Sequence, residues 1–213
     1  MPHPNRWLGI NSFRAVAVPS PFVRPSGGSD SALPPPFTME EPRTLLPGVT
    51  PLAVRWGTPP GILLGLDSFR AWPSGVQFFF VIAARTVTLP DRGAKNFENG
   101  ITVEWREPGT PPPECVRFSV TFSDGTTVSN LDGYGTNPRG ILQVRNGGGS
   151  AGPPNGWVRA DLGWWLSPLP PPGDVVFGVE WPLAGLALTE TRVSAGVLRE
   201  AASRAQPLSE IRC

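Results

Sequence analysis

One histidine, one tyrosine, one lysine and two cysteines are all that the 213 residues contain of these types. The histidine, His3, stands near the start of the chain, where backbone is least tied down. A Ser-His-Asp or Cys-His pair needs a base held in place, so nucleophilic catalysis of that kind is not expected. Structural and catalytic zinc sites draw on several Cys and His ligands, and Cys115, Cys213 and His3 do not supply them. We expect no metal and no cofactor. Charge is sparse as well: 16% charged residues and a net charge of +1, against about a quarter charged in typical globular domains. The arginines are scattered rather than gathered into a basic face, so nucleic acid is not an expected partner. No stretch reaches the roughly 18 apolar residues of a membrane span, and Met1–Ile10 holds no apolar run of signal-peptide length. Two cysteines far apart predict free thiols in a reducing compartment. Together these features predict a cytoplasmic protein without a membrane span.

What the chain has in quantity is proline (28) and glycine (25), unevenly placed. Residues 1–44 carry Pro19, Pro21, Pro25, Ser26-Gly27-Gly28-Ser29 and Pro34-Pro35-Pro36 and read as an extended tail. Within it, Phe13-Arg14-Ala15-Val16-Ala17-Val18 has the character of a strand or a docking peptide. A domain is expected over 45–213.

From Leu45 onward, short apolar runs alternate with Gly, Pro, Asn and Asp, the punctuation of strands and turns. Ile62–Phe69 and Val76–Val87 are strand candidates. The second is apolar on both faces through Phe78-Phe79-Phe80-Val81-Ile82, which suits a central strand covered twice. Ile101, Val103 and Trp105 alternate with polar residues, as do Val116, Phe118, Val120 and Phe122. Ser123-Asp124-Gly125-Thr126 supplies a hairpin turn and Thr126–Leu131 a returning strand. Asp132–Asn155, with Gly147-Gly148-Gly149-Ser150, reads as a loop. Trp157–Leu166 and Val175–Trp181 are strands around Pro168-Leu169-Pro170-Pro171-Pro172-Gly173. They are able to pair or to cross between sheets. Val193–Ala205 has helical spacing of Val193, Val197, Leu198 and Ala201. The expected fold is all-β: an antiparallel β-sandwich, Ig-like or jelly-roll-like, with one short C-terminal helix. A closed barrel is the alternative.

Candidate chemistry is thin. Gly147-Gly148-Gly149-Ser150 lacks the Gly-Lys-Ser/Thr ending of a phosphate loop, and Asp124-Gly125 and Asp132-Gly133 lack the spaced carboxylates of a calcium loop. Glu104, Asp161 and Glu180 are the carboxylates on predicted strands, and paired carboxylates could serve a hydrolase. Their alternation with apolar neighbours reads instead as solvent-facing. Among the tryptophans, adjacent Trp164 and Trp165 must point to opposite faces of one strand. Trp165 then shares the second face with Asp161 and Gly163, either under the terminal helix or open for stacking. Trp165, Trp157 and Asp161 are the candidate binding residues, and no catalytic residue is assigned.

The segments Asp67-Ser68-Phe69-Arg70-Ala71-Trp72-Pro73-Ser74-Gly75, Phe118–Gly125, Trp164–Gly173 and Val179-Glu180-Trp181-Pro182, with Glu190-Thr191-Arg192, resemble an uncharacterised actinobacterial β-sandwich family. The likeness spans about residues 45–202. It implies a high-GC bacterial origin, consistent with arginine replacing lysine almost throughout, and a single domain. It implies no activity. The expected function is a non-catalytic protein-interaction or structural module, with a protein partner or self-association. The alternatives are a carbohydrate-binding β-sandwich using Trp165 or Trp157, and a carboxylate-dependent hydrolase.

Overall fold

The structure, a computed structural model, describes residues 40–85, 111–113, 115–132, 137–150 and 156–210, with the side chains of 146–150 and 158 excepted. The expected strand 101–105, Glu104, Lys95, His3, Cys213 and the segment 13–18 lie outside the described residues.

The sandwich is present, built from two antiparallel sheets. The larger one orders β2 (Gly48–Thr50), β4 (Ile62–Trp72), β5 (Gly75–Arg85), β9 (Trp157–Ser167) and β8 (Ile141–Ser150) side by side, with β3 (Val54–Arg55) also pairing β4. The smaller one orders β11 (Leu186–Ser194), β10 (Asp174–Trp181), β6 (Arg117–Thr121) and β7 (Thr127–Ser129). Strand β9 lies in one sheet and β10 in the other, so the proline-rich connection crosses between sheets. A two-residue ladder joins β1 (Leu45–Leu46) to β12 (Gln206–Pro207).

Alternation builds the core. Phe78, Phe80 and Ile82 of β5, Leu162, Trp164 and Leu166 of β9, and Phe118 and Val120 of β6 all turn inward and are buried. Phe177 and Val179 of β10 meet them from the smaller sheet. Phe118 sits at the centre, with ring centroids 5.1 Å from Phe80, 5.6 Å from Phe78 and 5.6 Å from Trp164. Trp56, which precedes β4 in an irregular segment, adds edge-on contacts to Phe80 and Phe118. Asn130 pins this layer to the β6 backbone. Its Oδ1 accepts from the Phe118 N–H at 2.8 Å, and its Nδ2 donates to the Val116 carbonyl at 2.9 Å.

Helix α1 (Ala195–Ser203) starts where the Ser194 hydroxyl accepts from the Gly196 N–H, a usual N-cap. Its Ala195, Leu198, Ala201 and Ala202 are buried. It follows edge strand β11 and packs on β2 and β4, bridging the edges of the two sheets. Small side chains allow the close approach: a Cβ on Gly48 would stand 1.7 Å from the Ala201 carbonyl oxygen. The helical spacing expected from Val197 is not the buried one, since Val197 is exposed and Ala202 takes its place.

One expectation is corrected. Asp132–Asn155 is not a loop throughout, because Ile141–Ser150 is strand β8 and its glycines 147–149 lie opposite Leu162, Asp161 and Ala160. Backbone pairing needs no side chain, so a glycine run can extend a strand whose apolar signal ends at Val144. The expected strand Val175–Trp181 is present as β10, and it is followed by a strand that the sequence reading does not place. β11 follows it as a sheet edge, with Thr189 and Thr191 where an interior strand would place apolar residues.

Candidate binding face

Strand β9 sends Trp157, Arg159, Asp161, Gly163 and Trp165 to the face of the larger sheet that points away from the core, while its even-numbered partners enter the core. All three sequence-derived candidates therefore share one surface, at spacings of four residues or about 13 Å. Their environments differ.

Trp165 is fully buried. Its indole meets Trp72 edge-on, with centroids 5.7 Å apart, and joins Ile141 in a second small core onto which Leu45 packs. The Trp72 Nε1–H donates to the Leu45 carbonyl at 3.1 Å. The cover is thus Leu45, from the segment entering the domain, and not the terminal helix considered from sequence. Gly75 is required beneath it: a Cβ there would stand 2.7 Å from the Trp165 ring and 2.4 Å from the Leu166 carbonyl oxygen. Trp165 therefore offers no open ring for stacking.

Asp161 is exposed and held by its strand neighbour. Arg159 Nε donates to both carboxylate oxygens at 3.1 and 2.8 Å, and Nη2 donates at 2.6 Å. These hydrogen bonds raise the Arg159 pKa above its ordinary value, against a smaller desolvation effect, with Coulomb attraction from Asp161 and Asp67 adding to the rise. Trp157 is half-buried, and the Arg85 guanidinium lies 5.5 Å from its ring centroid.

Between these groups lies a feature that single-residue reading missed. Strand β5 is central, and its outward residues are Gln77, Phe79, Val81 and Ala83. Phe79, Val81 and Ala83 are half-buried, and Leu63, beside Ala83 on β4, is 42% exposed. The flanking positions are low or bent. Gly163 lies opposite Phe79 and Gly65 opposite Val81, and the β4 register shifts between Leu66 and Phe69 alongside Phe79. The Arg70 guanidinium lies 5.0 Å from the Phe79 centroid. Asp67, Arg70, Arg85, Arg159 and Asp161 rim this apolar strip. Its signal in the sequence was the two-sided apolar run of β5.

The outward face of the smaller sheet has another character. Thr121 and Thr127 hydrogen bond at 2.9 Å, and Arg117 pairs with Glu180 at 2.9 Å while donating to the Pro111 carbonyl. Asp161 and Glu180 thus stand on opposite outer faces of the sandwich, each bound by an arginine, and do not come together as a catalytic pair. Cys115 is a buried free thiol, its pKa pushed up to about 11 by burial, with the Arg117 charge acting the other way. Among the described residues, no group of three or more His, Cys, Asp or Glu could hold a metal ion, and no helix is long and apolar enough to cross a membrane.

The chain matches no protein-family model, no curated protein and no solved structure.

Proposed function

We propose that the protein is a non-catalytic binding module whose working surface is the uncovered half of the outer face of the larger sheet. One observation carries the reading. Strand β5 has the composition of a strand buried on both faces, yet only its inward residues and the Trp165 end of its outward face are covered. Phe79, Val81, Ala83 and Leu63 remain partly open to solvent. A contiguous apolar patch with a polar rim is the usual mark of an interaction surface. The candidate carboxylates Asp161 and Glu180 support the non-catalytic part, each being engaged by an arginine and the two being separated by the thickness of the sandwich. The buried free Cys115 thiol supports a reducing, cytoplasmic setting.

The test is site-specific photocrosslinking in the full chain. A benzophenone side chain at position 81 is expected to give crosslinks, whether within the chain or to another molecule. The same probe at Thr121, on the outer face of the smaller sheet beside its hydrogen-bonded partner Thr127, is expected to give none. Equal yields at the two positions would remove the proposal.

A further inference from the structure

Resting on that reading, we infer that the open strip is occupied by the chain's own segment Phe13–Val18. The described chain already begins on this face. Arg145 of β8 pairs with Glu40 at 3.4 Å and with Glu41 at 3.5 Å. A few residues later Leu45 lies on Trp165, Trp72 and Ile141. Residues 40–45 therefore hold the start of the described chain to the covered end of the same sheet face whose other end is open.

Geometry favours the tethered segment over a free partner. Arg145 lies level with Trp164 and Gly163, at the edge of the sheet. The strip is two strands away, about 10 Å, and up to four residues along, about 13 Å, so the span is about 16 Å. Residues 19–39 give a linker of roughly 20 residues, whose contour at about 3.1 Å per residue exceeds that span several-fold. A tether of that length holds its segment at an effective concentration of about a millimolar. Even a weak apolar contact is populated at that concentration.

The segment matches the surface in kind. Phe13, Ala15, Val16, Ala17 and Val18 are apolar, as the strip is, and Arg14 is the segment's one charge. Charge does not choose the occupant, since the rim carries both arginines and aspartates. The tether does.

Trypsin reads the occupancy directly in the full-length native protein, because Arg14 lies inside the segment and Arg6 lies just outside it. Cleavage after Arg14 is expected to be about tenfold slower than after Arg6. Val81→Asp, at a half-exposed position, is expected to bring the two rates together, with the domain's circular dichroism unchanged. Val16→Asp changes the segment alone and is expected to abolish crosslinks from a benzophenone at position 81 to residues 13–18. Equal rates at Arg6 and Arg14 in the unsubstituted chain would overturn the inference, as would a rate ratio unmoved by Val81→Asp. A ratio that rises with protein concentration assigns the strip to a second copy and also overturns it. Crosslinks from position 81 that avoid residues 13–18 leave the binding face standing and remove this occupant. No crosslinks at all remove both.

Discussion

Replacing Trp165 by alanine separates packing from binding on this face. The indole is fully buried against Trp72, Ile141 and Leu45. Truncation of a buried tryptophan costs about 3–5 kcal/mol once the cavity is counted. Of this, about 0.5–1.5 kcal/mol belongs to the edge-on pair with Trp72 beyond simple burial, and a double-mutant cycle with Trp72→Ala isolates that part. With a urea m-value of about 2 kcal/mol/M, the midpoint falls by about 2 M. Far-UV circular dichroism is the assay, since fluorescence would lose one of its own reporters. Trp157→Ala, eight residues earlier on the same face, removes a half-buried ring and a cation–π contact of about 1 kcal/mol, so its midpoint moves by about 0.5 M. Should Trp165→Ala prove too unstable to study, Leu45→Ala removes part of the cover and costs about 1–2 kcal/mol. A Trp165→Ala loss below about 1 kcal/mol, or one equal to that of Trp157→Ala, would refute the assignment of Trp165 to a closed core.

Gly48→Ala places a methyl against the Ala201 carbonyl oxygen, and overpacking against backbone is expected to cost at least about 2 kcal/mol, seen as a lower thermal midpoint. Asn130→Ala leaves the Phe118 N–H and the Val116 carbonyl without their side-chain partner, a loss of about 2–4 kcal/mol in urea titration. In a Cys213→Ser background Cys115 is the one thiol. With its pKa at about 11, its thiolate fraction at pH 8 falls about 100-fold below that of a thiol two units lower, and Ellman's reagent is expected to react only as the protein unfolds. The Asp124 pKa is lowered, first by the hydrogen bond from the Thr126 N–H at 2.9 Å. Its stabilising contribution is therefore present above the ordinary carboxylate value of about 3.9 and lost as pH falls through the lower folded value. Asp124→Ala is expected to flatten that acid limb in pH-dependent melts.

The sequence made some elements plain because their residues state the period twice over. Val116, Phe118, Val120 and Phe122 alternate with polar residues, and β6 runs over Arg117–Thr121, followed by the Asp124-Gly125 turn with Gly125 at φ +83°. Other elements were hidden for physical reasons. Strand β8 reads as loop in the sequence, because its apolar residues Ile141, Leu142 and Val144 run straight into glycines 147–149, which carry no side-chain signal. Strand β11 is a sheet edge with threonines on its inward face, and edge strands need not be strongly apolar. Trp56 lies outside any periodic run, although it packs against the rings of Phe80 and Phe118. For the candidate site, parity alone placed Trp157, Asp161 and Trp165 on one face. Parity could not show that Leu45 covers only the last of them, because that contact joins strands through residues far apart in the chain.

The difference between the two outer faces gives the functional argument its weight. The outer face of the smaller sheet mixes polar pairs, Thr121 with Thr127 and Arg117 with Glu180, with the separate apolar residues Val176 and Leu188. On the larger sheet the apolar outward residues are instead contiguous along the central strand, where Phe79, Val81 and Ala83 stand beside Leu63 and between Gly163 and Gly65. Phe79 and Val81, half-buried, each forgo part of the about 1.5–3 kcal/mol that full burial would supply, and outward apolar residues on a central strand also invite unwanted association. Part of that cost is already offset at the other end of the face, where Leu45 seals Trp72 and Trp165. The same device, a segment of chain laid across the outer face, would cover the rest. Under the proposed function, cover over Val81 offsets the rest of that cost, and the crosslinks from position 81 identify what supplies it.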